Sequence, residues 1–298
     1  MHWKMKRSIQ FIMAHLPFGE HLNHIAQKAA GSFSPEAQLW SLVAQAGYLR
    51  ALDERHPLEG ATVVEIGPGW QGLGTLLLHL FGAAKIIAFD HQPHFRRRLF
   101  DSLVETAEAS IEALSNASGI DRAALARRLG DFPDLDYRAP GDAAVTGLPD
   151  ASIDLVYSYG VLEHIDRPDL EAIARETARI LKPTGRAAHN IGLHDHFASA
   201  GLGNGVNFLR YSKRRWNFWN RNAILNHNRM RLPDYFELFA DAGLCPVWSQ
   251  RELRSENLEA LRSLRIHSDF RHFGVEDLAA SHLYIDLSSN GANETNLI

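Results

Sequence analysis

The chain has 298 residues, of which 45% are hydrophobic and 22% are charged, and its formal net charge at pH 7 is −4. These values are ordinary for a globular protein, and the mild acidic balance argues against nucleic-acid binding. The single cysteine, Cys245, excludes disulfides within the chain and indicates a reducing compartment, which predicts a cytoplasmic location. Its apolar neighbours predict that Cys245 begins a buried strand and has a packing role.

The first 59 residues predict an N-terminal helical extension. Helices are expected over residues 6–16, 22–30 and 35–55. Ser34 precedes Pro35 and supplies the N-cap of the third helix. The segment 1–19 is basic and then apolar, but His15 and Pro17 interrupt it and no small-residue cleavage site follows. We therefore expect an amphipathic helix that packs on the protein or makes peripheral contact with an acidic membrane surface, rather than a signal peptide.

Residues 60–298 alternate between short apolar runs and helical patterns, as one domain. Strands are predicted over residues 61–66, 85–89, 135–139, 153–157, 186–193, 247–250 and 282–287. Helices are predicted over residues 73–81, 168–181 and 233–242, with a helix-rich insertion at 93–129. Apolar runs of this kind are typical of strands buried on both faces of a parallel sheet. The alternation predicts an α/β, doubly wound sheet that ends in a hairpin.

The stretch EIGPGWQG, residues 65–72, contains a G-x-G-x-x-G directly after the first predicted strand. Glycines there let the backbone approach a ligand at the carboxyl edge of the sheet. Asp90 ends the second strand and is placed to accept hydrogen bonds from both hydroxyls of a ribose. Dinucleotide and S-adenosylmethionine sites share both features. Glu65, however, would repel a pyrophosphate and attract an ammonium group, which favours S-adenosylmethionine.

The segments EIGPGWQG, Asp90, GDAAVTGLPDASIDLVYSYGVLEHI and ETARILKPTGR resemble successive motifs of class I S-adenosylmethionine-dependent methyltransferases. Order and spacing agree over residues 60–195. The resemblance is to the bacterial small-molecule type whose fourth strand leads into V-L-E-H, found in polysaccharide and secondary-metabolite gene clusters. It implies a seven-stranded Rossmann-like sheet, mostly parallel with an antiparallel terminal strand, and S-adenosylmethionine as the cofactor. The cofactor-binding residues that it implies are Glu65, Gly67, Gly69, Asp90, His91, Asp142, Ala143 and Tyr159.

Within that set, the resemblance places Glu65 and Gly67 at the methionine moiety and Asp90 at the ribose. Asp142 and Ala143 would bind the adenine, and backbone around Tyr159 would complete the site.

Catalytic residues are predicted at His194, Asp195 and His196, after the fifth strand. A hydroxyl acceptor must lose a proton, and a positioned base contributes roughly 10²–10⁴-fold to the rate, whereas an amine or carboxylate acceptor needs no base. A histidine beside a carboxylate suits this role. The His-x-His pair could instead ligate a metal with His227 or Asp195, but sequence shows too few convergent ligands, so no metal is predicted.

The segment 207–221 interleaves aromatic and basic residues and lies in a predicted substrate cap, residues 194–232. The residues predicted to bind substrate are His164, Arg210, Tyr211, Arg214 and Trp216. Arginines can hold a phosphate or carboxylate, and a tryptophan can stack on a sugar. A packed helical cap with a solvated basic face remains the alternative, and His164 could instead support the cofactor loop.

The function predicted from these features is methyl transfer from S-adenosylmethionine to a small molecule. An oxygen on a sugar, glycolipid precursor or secondary metabolite is favoured, with carbon methylation left open. Two alternatives are a non-catalytic S-adenosylmethionine-binding protein and an NAD(P)-dependent oxidoreductase. The sequence does not indicate the oligomeric state.

Overall fold

The computed structural model describes residues 24–25, 27–28, 31–132, 135–196, 204–220, 226–290 and 296–297. The helix predicted over residues 6–16, with its membrane contact, lies outside these residues. Of the helix predicted over residues 22–30, the four described residues are helical. Among the helices that the structure describes, none is both long and apolar enough to cross a membrane.

Strands and helices alternate from residue 62 onward. The strands are β1 (Thr62–Ile66), β2 (Lys85–Phe89), β3 (Asp136–Arg138), β4 (Ile153–Tyr159), β5 (Leu181–Gly192), β6 (Cys245–Leu253), β7 (Ala280–Ser288) and β8 (Asn296–Leu297). The helices are α1 (Pro35–Arg55), α2 (Leu73–Leu80), α3 (Arg97–Ala109), α4 (Ile111–Ser118), α5 (Arg122–Gly130), α6 (Arg167–Ile180), α7 (Lys213–Asn220), α8 (Leu232–Asp241), α9 (Ser255–Ser263) and α10 (Val275–Ala279). Short 3₁₀ turns lie at Leu162–His164, Asn207–Arg210 and Ser268–Phe270.

All eight strands form one sheet in the order β3-β2-β1-β4-β5-β7-β6-β8. Strands β1 to β5 pair in parallel, and β7 runs antiparallel to both of its neighbours, β5 and β6. The strand order reverses between β1 and β4: β2 and β3 lie on one side of β1, and β4 and the later strands lie on the other. Ligands bind at such a point in sheets of this kind. The predicted doubly wound, seven-stranded Rossmann-like sheet is confirmed, and the two-residue β8 extends it along β6.

Apolar side chains cover both faces of the sheet. On one face, Val63 of β1 packs with leucines of α1 and α2, and α3 to α5 complete this first core cluster. On the other face, Val64 and Ile66 of β1 pack with α6 and α8 in a second cluster. Ser34 caps α1 as predicted, because its hydroxyl oxygen accepts a hydrogen bond from the Ala37 N–H at 3.3 Å.

Two predicted features of the strands are wrong. β5 begins at Leu181, five residues before the predicted start, because Leu181 pairs with Ile153 across a register shift. Cys245 does begin β6, but it is exposed rather than buried. Strand β6 lies near the edge of the sheet, and most of its residues are only half-buried.

One half-buried carboxylate fixes the loop between β3 and β4 against α6. Glu176 Oε1 accepts hydrogen bonds from the Thr146 N–H at 2.9 Å and from the Thr146 hydroxyl at 2.5 Å. Arg179 donates to both oxygens of Glu176 and also to the Leu148 carbonyl at 2.9 Å. The hydrogen bonds from Arg179, followed by those from Thr146, lower the pKa of Glu176 from 4.5 to about 2.

We expect Glu176→Gln to lower the free energy of unfolding at pH 7 by about 1–2 kcal/mol, because the amide replaces a charged acceptor. The carboxylate stabilises the fold above its unfolded pKa of 4.5 and loses this effect as the pH falls towards 2. The difference in the free energy of unfolding between wild type and variant should therefore become smaller below pH 4.5. Urea unfolding at pH 7, 4.5 and 3 measures this difference.

Glu171→Gln is the matched control, because Glu171 lies on the same helix and forms a half-exposed ion pair with Arg167. Its effect should stay within about 0.5 kcal/mol. An equal loss in both variants, or a difference that does not change with pH, would contradict the role given to Glu176.

Candidate functional site

A cavity of about 780 Å³ opens at the carboxyl ends of β1, β2 and β4, beside the point where the strand order reverses. Five of the predicted cofactor residues lie in its wall: Gly67, Asp90, His91, Asp142 and Ala143. The segment after β4 contributes Val161 and His164 to the same wall. Loops that are far apart in sequence therefore share one ligand-sized cavity.

The glycine loop after β1 packs tightly on the segment after β4. Gly67 has a φ of 71°, and its N–H donates to the Phe89 carbonyl at 2.8 Å. A Cβ at this position would lie 2.8 Å from Cγ2 of Val161, closer than side chains pack. Both constraints require glycine, and they bring the backbone of the loop to the cavity surface.

Asp90 is anchored through its backbone and has one unpaired carboxylate oxygen. Its N–H donates to the Arg138 carbonyl at 3.1 Å, and its carbonyl accepts from the Gly141 N–H at 2.8 Å. Oδ1 lies 3.0 Å from Nδ1 of His94. Oδ2 is buried and has no hydrogen-bond partner among the described residues. A buried acceptor without a partner costs roughly 1–3 kcal/mol, so this oxygen fits a ligand that brings hydroxyl donors.

The turn after β3 forms a second side of the cavity. Asp142 Oδ1 accepts a hydrogen bond from the Ala144 N–H at 2.8 Å, which shapes the turn. Thr146, four residues after Asp142, connects the turn to α6, because its N–H donates a hydrogen bond to Glu176. Asp142 is exposed and Ala143 is half-buried, so both remain accessible from the cavity.

Two predicted cofactor residues lie on the α1 face of the sheet instead. Glu65 is 3% exposed and accepts a hydrogen bond from the Thr75 hydroxyl of α2, and burial raises its pKa to about 7. The ring of Tyr159 packs 5.9 Å from that of Tyr48, and burial raises its pKa to about 12. Gly69 lies in the loop itself, with a φ of 66°. Their contacts with a cofactor stay predictions.

Five histidines gather where β4 and β5 end, and we call them the histidine cluster: His164, His194, His196, His227 and His282. His196 lies at the centre, with its ring centroid 4.9 Å from His164, 5.4 Å from His194 and 4.9 Å from His227. His282, on β7, lies 4.9 Å from His194. The two predicted catalytic histidines therefore do lie together.

The surroundings of the cluster determine its charge. Burial lowers the pKa of His196 to about 3 and also lowers that of His194, so both rings are neutral at pH 7. Nδ1 of His194 lies 3.1 Å from the Ser281 carbonyl. Asp195 is 3% exposed, and its N–H donates to the Gly205 carbonyl at 2.8 Å, which ties this segment to the predicted cap.

The predicted substrate residues of the cap divide into two groups. Arg210 and Arg214 are exposed, and Arg214 borders a shallow surface pocket. Trp216 is 3% exposed, and its indole N–H donates to the His227 carbonyl at 3.1 Å. Tyr211 packs beside it, with ring centroids 6.4 Å apart. Trp216 is thus a packing residue, in contrast to the predicted stacking role.

Sequence reasoning missed three residues of this region. His94 is four residues after Asp90, a spacing that gives no signal without the fold. Asn226 and Asn228 hold the turn that carries Glu163 and His164: the Asn226 carbonyl lies 2.7 Å from Nδ1 of His164, and the Asn228 N–H donates to the Glu163 carbonyl at 2.9 Å. Only the tertiary structure brings these asparagines to β4.

Residues 115–189 of the chain match a family model described as a methyltransferase domain. The matched segment runs from α4 through β4 to β5, and it includes the Asp142 turn and the Glu163-His164 pair. The match confirms the prediction of a methyltransferase domain over these residues. It does not test the V-L-E-H group or a bacterial origin.

Several solved structures are similar to the chain. One belongs to the complex between the Haloferax volcanii Trm112 methyltransferase activator and a methyltransferase, with 18% identity over 93% of this chain and 99% of that chain, at a TM-score of 0.49. An S-adenosylmethionine-dependent methyltransferase from Mesorhizobium loti shares 16% identity over 83% of this chain and 99% of that chain, at a TM-score of 0.48. Geranyl diphosphate C-methyltransferase from Streptomyces coelicolor A3(2) shares 14% identity over 83% of this chain and 78% of that chain, at a TM-score of 0.46.

We expect Glu65→Gln to change how the stability of the protein depends on pH. Between pH 4.5 and about 7 the folded protein keeps the Glu65 proton that the unfolded chain has lost, so rising pH destabilises the fold. Glutamine stays neutral and removes this effect. Relative to wild type, the free energy of unfolding of the variant should rise by on the order of 2 kcal/mol between pH 4.5 and pH 8.

Urea unfolding of dialysed protein across this pH range measures the difference. Glu54→Gln serves as the control, because Glu54 is exposed on α1 and forms an exposed ion pair with Arg50. The control should follow the wild-type pH dependence. Parallel curves for Glu65→Gln and wild type would show that Glu65 is ionised in the folded protein throughout this range.

Proposed function

We propose that this protein transfers a methyl group from S-adenosylmethionine to an oxygen atom of a small molecule. The observation that carries the proposal is the buried Oδ2 of Asp90 in the wall of the cavity, which has no hydrogen-bond partner in the part of the chain that the structure describes. The match of residues 115–189 to a methyltransferase domain supports the choice of donor. A sugar, a glycolipid precursor or a secondary metabolite is the acceptor class that we propose.

The cavity residues fit the parts of the donor. Asp90 accepts hydrogen bonds from the ribose hydroxyls, and the turn at Asp142 and Ala143 binds the adenine. Gly67 lets the backbone approach the methionine moiety, with the Glu65 carboxyl group on the α1 side of the loop. S-adenosylmethionine supplies a methyl group on a positively charged sulfur, which is already activated for displacement. The protein contributes alignment and the exclusion of water.

The histidine cluster forms the acceptor side of the site in this proposal. His164 lies in the cavity wall and His196 packs 4.9 Å from it, so the cluster borders the donor cavity. A hydroxyl acceptor must give up its proton, and a neutral imidazole is the form that receives one. Burial keeps both rings, His194 and His196, in this neutral form, but it lowers the pKa of His196 to about 3, which makes that ring a weak base. His194 is therefore the favoured proton acceptor in this proposal.

The domain organisation belongs to the same proposal. We assign residues 194–232 to a substrate cap, residues 1–59 to a helical extension and residues 60–298 to the catalytic domain that contains the cap. The described part of the cap packs with Phe270 and Leu278 in its own apolar cluster, and Trp216 joins it to His227. A cytoplasmic location and peripheral membrane contact by the first helix remain predictions.

Asp90→Ala tests the donor site. Removal of the charged acceptor should weaken binding of S-adenosylhomocysteine by about 10–100-fold, since hydrogen bonds to charged groups contribute about 1.5–3 kcal/mol each. Isothermal titration calorimetry measures the affinity. Asp101→Ala is the control and should bind like wild type, because Asp101 is a half-exposed aspartate on α3 that pairs with Arg97. Equal affinity of Asp90→Ala and wild type would contradict the ribose assignment.

His194→Ala and His196→Ala test the acceptor side. Both variants should retain affinity for S-adenosylhomocysteine, and at least one should lower turnover by about 10²-fold or more. The measurement is release of S-adenosylhomocysteine in the presence of a panel of hydroxylated small molecules. His79→Ala, on α2 beside the Arg128 carbonyl, is the control.

Full turnover in both variants would place the base elsewhere or show that none is needed. Tight binding of S-adenosylhomocysteine by wild type, without turnover on any member of the panel, would favour a non-catalytic binding protein.

A further inference from the structure

Three side chains at the carboxyl ends of β4 and β5 point their ligand atoms at one another. One carboxylate oxygen of Glu163 and one ring nitrogen each of His164 and His196 all lie within 4.8 Å of one another. The parallel pairing of β4 and β5 brings the two segments together. Ligands on one metal ion lie at most about 4.2 Å apart, because each bond is about 2.1 Å long. Small side-chain shifts would therefore complete such a site.

Glu163 is the anchor of this group, and half of its carboxylate is unpaired. The side chain is 3% exposed, and Oε1 accepts the Gly192 N–H at 2.9 Å. Oε2 is buried without a hydrogen-bond partner in the described part of the chain. A Cβ on Gly192 would lie 2.5 Å from Oε1 and 3.5 Å from Nε2 of His196, so the glycine leaves room for both groups. A buried carboxylate with an unpaired oxygen is stabilised by a bound cation.

His164 is held in the orientation that a metal ligand needs. Its Nδ1 lies 2.7 Å from the Asn226 carbonyl, which can only accept, so Nδ1 carries the proton. Nε2 then keeps its lone pair. The Asn226 amide also donates to the His164 carbonyl at 2.9 Å, which fixes the turn. Metal-binding histidines usually donate their second N–H to a carbonyl or carboxylate in this way.

His227 adds a second unsatisfied group next to His196. Its side chain is 9% exposed, and neither ring nitrogen has a hydrogen-bond partner among the residues that the structure describes. Its ring centroid lies 4.9 Å from that of His196. Buried polar atoms in proteins are nearly always paired. Glu163 and His227 both have unpaired polar atoms within the described part of the chain and both lie next to His196, which indicates a site built for a bound species.

We propose that Glu163, His164 and His196 bind a divalent transition-metal ion of the zinc type. Two imidazoles and one carboxylate favour zinc and its neighbours in the first row over Mg²⁺ and Ca²⁺, which prefer oxygen ligands. Three protein ligands are typical of catalytic rather than structural zinc sites, because a position stays open. His164 also lies in the cavity wall, so the ion borders the donor cavity.

The proposal departs from the sequence prediction that no metal binds. Glu163 and His196 lie 33 positions apart, and only the pairing of β4 with β5 brings them together. Metal binding itself does not depend on the proposed function. If that function holds, the cation stabilises the negative charge of the acceptor oxygen as it loses its proton. His196 then serves as a ligand, and proton acceptance falls to His194.

The test uses the full chain after treatment with EDTA and dialysis. ZnCl₂ is titrated in competition with a chromophoric chelator, and Co²⁺ is added separately to record its visible absorption. Wild type should bind one equivalent of zinc. Glu163→Gln, which keeps the size of the side chain, and His196→Asn should each weaken binding by at least about 100-fold, since even supporting residues contribute 10–100-fold.

His282→Asn is the matched control, because His282 belongs to the histidine cluster but not to the three ligands. It should keep the zinc affinity within about threefold of wild type. Circular dichroism and the affinity for S-adenosylhomocysteine are measured on the same samples. They show whether each variant is folded and test the donor site separately from the metal site.

Less than one equivalent of zinc bound to wild type would overturn the proposal. Equal zinc affinity in wild type, Glu163→Gln and His196→Asn would do the same, as would a larger loss in His282→Asn. Normal binding of S-adenosylhomocysteine without zinc binding removes the metal site and leaves the proposed function intact. Zinc binding without S-adenosylhomocysteine binding would support the metal site and contradict the proposed donor site.

Discussion

The glycine loop after β1 and the segment after β4 approach each other so closely that one added carbon at Gly67 would collide with Val161. This contact lies where the strand order reverses, and it joins the two halves of the sheet at their carboxyl edge. The cavity on one side and the 3₁₀ turn with Glu163 and His164 on the other both depend on it. A larger residue at position 67 would separate the two loops and open the site.

Several unsatisfied polar groups lie at this same edge. Asp90 and Glu163 each have one buried carboxylate oxygen without a described partner, and His227 has two such nitrogens. Each group costs free energy in the unliganded fold. Glu176, which is half-buried, is instead fully paired and helps to hold the loop between β3 and β4 in place. The unpaired groups at the carboxyl edge of the sheet fit bound species that would supply their partners.

Much of the fold follows from local pattern. Short β-branched runs and glycine loops predict the seven main strands, because a buried parallel strand must be apolar on both faces. The start of β5 was missed, since residues 181–185 read as the end of a helix and pair with β4 only in the sheet. The exposure of Cys245 depends on the position of β6 near the sheet edge, which its apolar neighbours do not reveal.

The site was predictable to the extent that it follows the strand ends. Gly67 and Asp90 come directly after a strand, and Asp142 lies four residues after β3, so their meeting in one cavity follows from parallel pairing. The burial of Trp216 and the approach of Glu163 to His196 depend on packing between distant segments. Local sequence carries no signal for such contacts.

The central claim is that the cavity holds S-adenosylmethionine rather than a dinucleotide. Calorimetric titration of the purified wild-type protein with S-adenosylhomocysteine, and separately with NADH, tests it most directly. We predict saturable binding of S-adenosylhomocysteine at one site and no binding of NADH. Binding of NADH alone would contradict the donor assignment and restore an oxidoreductase as the explanation of the glycine loop.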